Sequence, residues 1–202
     1  MKLDRGQAGG TRPYVMRERA RATARTRDRI LRSGVTLFAE LPYAQLTLAK
    51  VAAHAGVSVQ TVIRHFRDKD GLIAECARSV EAEVRAQRGQ APVGDPAGIV
   101  ANLVEHYEAF GAVALRLLAE EETSPSIAEL AETGRALHRE WCLQVFEPFL
   151  PEDGEERTRR LAQLVAICDV HTWKLLRDNG LDPAETRTAL LEMLEPLTTR
   201  EA

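Results

Sequence analysis

Aromatic residues make up only 5% of the 202 residues, and cysteine occurs three times. Cys76, Cys142 and Cys168 are too few, and odd in number, for a disulfide framework, so a reducing, cytoplasmic location is expected. No apolar run approaches the roughly 18 residues that a bilayer-spanning helix needs, and no membrane partner is expected. Residues 1–23 hold no apolar h-region, so no cleaved secretory signal is expected either. The sequence also lacks a G-x-S-x-G elbow, a phosphate-cradling P-loop and a dinucleotide fingerprint. No nucleophile, base and orienting group stand together, so neither enzymatic activity nor a cofactor is expected. Internal repeats and low-complexity tracts are missing as well. With 45% hydrophobic residues, what remains is a chain long enough to bury a real core, in one ordinary domain or two small ones.

The formal net charge of −3 conceals a division. Residues 1–70 carry 14 Lys and Arg against 6 Asp and Glu, a balance of +8, whereas residues 71–202 carry 13 against 24, a balance of −11. A compact basic segment is the footprint expected for a polyanion, because each neutralised phosphate releases condensed counterions. A solvated basic face with no partner has the same composition, so charge alone does not decide.

No alternation of β-branched residues is long enough for a sheet, and the periodicities are helical. From Thr26 to Leu41 the apolar stripe runs through Ile30, Leu31, Gly34, Leu37, Phe38 and Leu41, and Pro42 stops it. A second long helix is expected from an Asp68 cap to about Arg88, with Leu72, Ile73, Cys76, Val80 and Val84 on one face. The segment GQAPVG at 89–94 then reads as a junction. Asp95-Pro96, Ser124-Pro125 and Asp182-Pro183 each place a capping residue before a proline at the first helical position. One helix is expected from about Glu155 to Asn179, and a last one carries Leu190, Met193, Leu194 and Leu197. The fold class is all-α, with about nine helices. Residues 1–22 read as a disordered basic arm, 23–88 as a first helical domain with a connecting helix, and 89–202 as a second helical domain.

Between the first two long helices lies Thr47-LAKVAAHAGVSVQTVIRHF-Arg67. Two short helices fit, about 47–54 and 58–65, capped by Thr47 and Ser58 and joined through a left-handed turn at Gly56. Val51, Val57, Val62 and Phe66 would fill a small core, while Ala52 and Ala55 allow close approach of crossing helices. This is a helix-turn-helix, whose second helix enters the DNA major groove. Its outward face would present Val59, Gln60, Thr61, Ile63, Arg64 and His65. Gln60 can pair with adenine and Arg64 with guanine, while Lys50, Arg67 and Lys69 suit phosphates. With the two capping residues, the set expected to meet DNA is Thr47, Lys50, Ser58, Val59, Gln60, Thr61, Ile63, Arg64, His65 and Lys69.

The stretch Thr47-LAKVAAHAGVS…TVIRHFRDKDGL-Ile73 resembles the DNA-binding domain of tetracycline-repressor (TetR) family regulators. The likeness is strong over about residues 24–88. It continues weakly to the C-terminus, where Thr172-Trp173-Lys174-Leu175-Leu176 and Gly180-Leu181 resemble the last two helices of many members. It implies a homodimer on a palindromic operator and a three-helix reading head. It also implies a variable helical domain that binds a small-molecule effector and releases DNA, in a repressor or, at another promoter position, an activator. The resemblance places the dimer seam at Trp173, Leu176, Leu190 and Leu194. Two positions depart from the family pattern: Gln60 stands where a small residue is usual, and Ile63 where tyrosine is. Ile63 cannot give the phosphate hydrogen bond that tyrosine gives. The arginines at 12, 17, 19 and 21 offer compensation by entering the adjacent minor groove.

In the second domain, His106, Tyr107, Phe110, His138 and Trp141 suit the walls of an effector cavity, with Asn102 and Arg116 as polar anchors. Plain core packing explains each of them singly just as well. His138 with Cys142, and Cys168 with His171, have helical spacings that allow two zinc ligands each, the basis of an alternative metal- or thiol-responsive regulator. Buried cysteines are ordinarily small hydrophobes, however, and no metal ligand is assigned. Glu120, Glu121 and Glu122 read as a solvated helix end.

Overall fold

Helical periodicity without strand alternation produces an all-helical chain. The computed structural model describes residues 11–199, and among them there are nine α-helices and two single 3-10 turns, at Tyr43–Gln45 and Glu147–Phe149. The helices are α1 (Thr11–Glu40), α2 (Leu48–Ala55), α3 (Val59–Phe66), α4 (Lys69–Arg88), α5 (Pro96–Ala119), α6 (Pro125–Val145), α7 (Gly154–Ile167), α8 (Val170–Asp178) and α9 (Pro183–Thr198). Two compact units result. One comprises residues up to Leu37 with Leu46–Cys76, and the other Phe38–Gln45 with Ala77 onward, so that α4 is one continuous helix with residues in both.

In the first unit, Ile30 and Leu31 of α1, Val51 and Ala52 of α2, Val62 and Phe66 of α3 and Leu72 and Ile73 of α4 are buried. Gly34 lets α1 approach α4: a Cβ there would lie 2.7 Å from Cys76 Sγ. Helix α1 starts at Thr11, so residues 11–22, expected as a disordered arm, are helical. Arg17, Arg19 and Arg21 are exposed along it, while residues 1–10 and the Arg12 side chain lie outside the described residues.

The second unit packs α5 centrally, with Ile99, Val100, Leu103 and Val104 buried against Trp141, Cys142 and Val145 of α6, Leu161 and Leu164 of α7, and Leu190 and Leu194 of α9. Gly111 of α5 faces the Trp173 ring of α8, where a Cβ would come within 2.6 Å. The stripe from Glu155 to Asn179 does not form one helix; it breaks at Cys168-Asp169. Asp169 caps α8 by accepting from the His171 backbone N–H at 2.8 Å. Side chains take up the carbonyls freed at the break: Tyr107 Oη donates to Cys168 O at 2.9 Å and Thr172 Oγ1 to Ala166 O at 2.7 Å. His138 Nε2 meets Val165 O at 3.1 Å. A helix end buried without such partners would leave backbone oxygens unsatisfied.

The candidate DNA-reading helix and the buried polar cluster

The capping rules place the reading helix. Thr47 Oγ1 accepts from Lys50 N at 3.2 Å, and Ser58 Oγ from Thr61 N at the same distance. Gly56 turns the chain at φ 64°, and a Cβ there would touch nothing, so backbone conformation rather than space calls for glycine. Helix α3 then buries Val62 and Phe66 and turns Val59, Gln60, Ile63 and Arg64 to solvent, with Thr61 and His65 half-buried. Thr47, Lys50 and Ser58 are exposed beside it, and Lys69, the first residue of α4, is half-buried. All ten residues expected to meet DNA thus belong to one unit. The Arg27 guanidinium lies 5.5 Å from the Phe66 ring centroid and ion-pairs with Glu75, tying α1 to α3 and α4. Partial burial, with Arg64 and Arg27 nearby, lowers the His65 pKa and favours its neutral form.

Six of the seven residues expected around an effector gather near a side chain the sequence reading missed, Arg88. Its guanidinium lies 4.2 Å from the Trp141 ring centroid and 5.3 Å from that of Tyr107. Trp141 Nε1 donates to Arg88 O at 3.1 Å. Gln87 and Asn102 exchange hydrogen bonds, each amide donating to the other's backbone oxygen, at 2.9 and 2.8 Å. His106 packs on Tyr107 and Phe110, and His138 stacks on Trp141 at 6.4 Å. Arg116 stands apart, paired with Glu120 at 3.7 Å.

Burial, with the Arg88 and His138 charges, lowers the His106 pKa to about 3, so its ring is neutral at pH 7. Below about pH 6.5 the unfolded chain takes up a proton that the folded one refuses until about pH 3. Stability is therefore expected to fall as pH drops from 6.5 toward 3. Urea titrations at pH 7, 6, 5 and 4 should show the midpoint falling through that window, and less steeply in His106→Phe; parallel curves would show that His106 is not the cause.

His138 Nε2 and Cys142 Sγ lie 3.7 Å apart. Burial resists ionisation of Cys142, but hydrogen bonds with Cys168 and His138 hold its thiol down to about 6, while the same Cys142 contact and burial push Cys168 up. His171 is exposed and bonded to Asp169 at 2.8 Å, so it stands apart from His138, Cys142 and Cys168. No group of three or more potential metal ligands occurs among the described residues. Nor is any helix there long and apolar enough to cross a membrane.

The residues placed at a dimer seam need correction. Leu190 and Leu194 are fully buried within the second unit, and Trp173 is buried there too, with Nε1 donating to Glu108 at 3.1 Å. Leu176 is half-buried. On α8 and α9 the exposed large apolar side chains are instead Leu175 (63%) and Met193 (42%).

Residues 30–76 match the family model described as bacterial regulatory proteins, tetR family. No curated protein matches the chain. Among solved structures, a transcriptional regulator from Rhodococcus sp. Rha1 is similar at 23% identity and TM-score 0.64, over 85% of this chain and 95% of that one. A tetR-family regulator from Streptomyces coelicolor has 16% identity and TM-score 0.64, over 85% and 81%. A regulator from Saccharomonospora viridis, solved in complex with choline, has 18% identity and TM-score 0.58, over 85% and 96%. Residues 30–76, which form the capped helix-turn-helix, are thus similar to the DNA-binding region of tetR-family regulators, and the helical fold around them is shared with solved transcriptional regulators.

Proposed function

We propose that the chain is a homodimeric repressor, held on a palindromic operator and released by a small molecule bound in its second unit. The observation that carries this reading is helix α3, which buries Val62 and Phe66 and leaves Gln60, Ile63 and Arg64 outward on the basic part of the chain. One such helix reads only a few base pairs. Two, related by a dyad and about one turn of DNA apart, read a palindrome. In this reading Gln60 and Arg64 meet base edges, Val59 and Ile63 meet thymine methyls or sugars, and Thr47, Lys50, Ser58, Thr61, His65 and Lys69 serve phosphates. Residues 23–88 hold the reader and the connecting helix α4, whose residues from Ala77 on already belong to the second unit, and 89–202 hold the rest of the effector and dimerisation domain. The copies pair through the outward faces of α8 and α9, around Leu175 and Met193. The choline held by the Saccharomonospora protein supports a small-molecule role for the second unit. By linkage, operator DNA lowers effector affinity by the same factor as effector lowers operator affinity.

Selection from a random duplex library at low salt, followed by gel shift and mass determination, tests this. The expected result is a palindromic consensus whose half-sites lie about 10 base pairs apart, bound by two chains. Lys50→Ala should reduce the salt slope of log K by about 0.9 per chain, equally for all sequences. Failure to enrich any duplex would sink the DNA-reading assignment; a one-chain complex would sink the dimer.

A further inference from the structure

Among the described residues, every substantially buried arginine in the second unit except one has a carboxylate. Arg116 pairs with Glu120 at 3.7 Å, Arg157 with Glu147 at 2.7 Å, Arg160 with Glu156 at 3.2 Å and Arg177 with Glu108 at 3.1 Å. Arg88 is more deeply buried than any of them, at 8% exposed, and among the described residues no acid pairs with it. Its Nη1 is buried and has no hydrogen-bond partner. Beside it, His106 Nδ1 and His138 Nδ1 are also buried without partners, His106 itself being 6% exposed. An isolated buried guanidinium is costly and is ordinarily paired. Cys142, held toward its ionised form, is bonded to His138 and Cys168 and leaves Nη1 unanswered.

We propose that Arg88, with His106 and His138, forms an anion site in the second unit, and that the effector is a small organic monocarboxylate. The effector role rests on the regulatory reading above; the site does not. Arg88 Nη1 donates to the carboxylate, and neutral His106 adds an Nδ1–H donor. Trp141, Tyr107 and Phe110 surround the donors with apolar surface. A cation is rejected, because the guanidinium already covers the faces of Trp141 and Tyr107 that would attract one. A dianion would leave uncompensated negative charge, because Arg88 brings a single positive charge to this cluster. The open cavity of about 680 Å³ lined by Leu118, Arg135, His171 and Lys174 is a poorer anion site. Its basic side chains are already engaged: Arg135 with Glu121, His171 with Asp169 and Lys174 with Asp178. Arg88 is also the last residue of α4, whose first turns belong to the DNA-reading unit, so an anion there acts on the end of that helix.

The test uses the full chain without DNA, straight-chain monocarboxylates from acetate to octanoate and benzoate, each against its primary amide, at constant chloride. At least one acid is expected to raise Tm by several degrees while its amide leaves Tm unchanged. Arg88→Gln should weaken that acid's binding at least tenfold. If Arg88→Gln does not fold, Trp141 fluorescence in a Trp173→Phe background reports the same difference between acid and amide. No response to any acid, an equal response to the amide, or full binding by Arg88→Gln overturns the site. Gel shift with selected DNA is then run with the acid that binds. Release of DNA supports the effector role. An acid that binds yet leaves DNA bound overturns that role but keeps the site, whereas a chain that binds DNA but no acid loses the site and keeps its regulatory reading.

Discussion

Arg64→Ala in both chains of the proposed dimer is expected to lower affinity for the selected operator by about 2–6 kcal/mol, because a bidentate arginine–guanine pair discriminates by about 1–3 kcal/mol and would occur once per half-site. That is roughly 30-fold to more than 10⁴-fold in Kd. The two half-sites lie far enough apart for the losses to add. Arg64 is exposed on α3, while Val62 and Phe66 supply the helix's buried contacts, so the fold should be spared. Thermal stability should therefore move by less than about 0.5 kcal/mol, as for ordinary surface changes. The informative measurement is binding to the operator and to variants at each position, at fixed salt. The loss should concentrate at one base pair per half-site and vanish on DNA already mutated there. An equal loss on every sequence would move Arg64 from base reading to phosphate contact. Gln60→Ala should relax a neighbouring position instead, since residues 60 and 64 stand one turn apart on the same exposed face.

The reading helix was legible because its determinants are local. Thr47, Gly56 and Ser58 act within three or four residues, and a capping residue or a left-handed glycine carries the same meaning in any fold. The break between α7 and α8 was not legible, because its stabilising groups come from far along the chain: Tyr107 and His138 reach carbonyls at Cys168 and Val165. The apolar stripe alone gave no reason to interrupt. A stripe also reveals that a residue is covered without revealing by what, and so Leu190 and Leu194, buried in their own unit, looked equally suited to a partner chain. Arg88 is a different omission. The buried face of α4 steps by four through Leu72, Cys76, Val80 and Val84, and the next step is Arg88. A charged residue continuing an apolar register is a visible signal, and it identifies the guanidinium that Trp141 and Tyr107 surround.

Arg88→Met is expected to make the unliganded protein more stable while removing its response to carboxylates. Folding strips water from Nη1 and returns no partner, which costs about 1–3 kcal/mol for an unsatisfied buried donor and more for a charged one. Stacking on Trp141 and Tyr107 offsets part of this, at about 0.5–2 kcal/mol per cation–π contact. Methionine keeps an unbranched apolar stem and adds sulfur–aromatic contact of about 0.3–1.5 kcal/mol, with no charge to desolvate. Replacing buried ionic groups by apolar ones of similar volume stabilises proteins by up to about 4 kcal/mol, and here a gain of about 1–3 kcal/mol is expected. For a chain of this size that raises Tm by roughly 2–12 °C. The measurement is thermal and urea unfolding of both proteins in acetate-free buffer, then again with the carboxylate that binds. Wild type should gain stability with ligand and approach the variant, whose own curve stays put. A variant less stable than unliganded wild type would mean that the guanidinium is already compensated at rest. The Cys142 thiolate would then be the compensating charge, and Arg88→Met would no longer destabilise in a Cys142→Ser background. With the expected signs, a buried guanidinium that lowers resting stability is retained because its missing counter-ion arrives with the ligand.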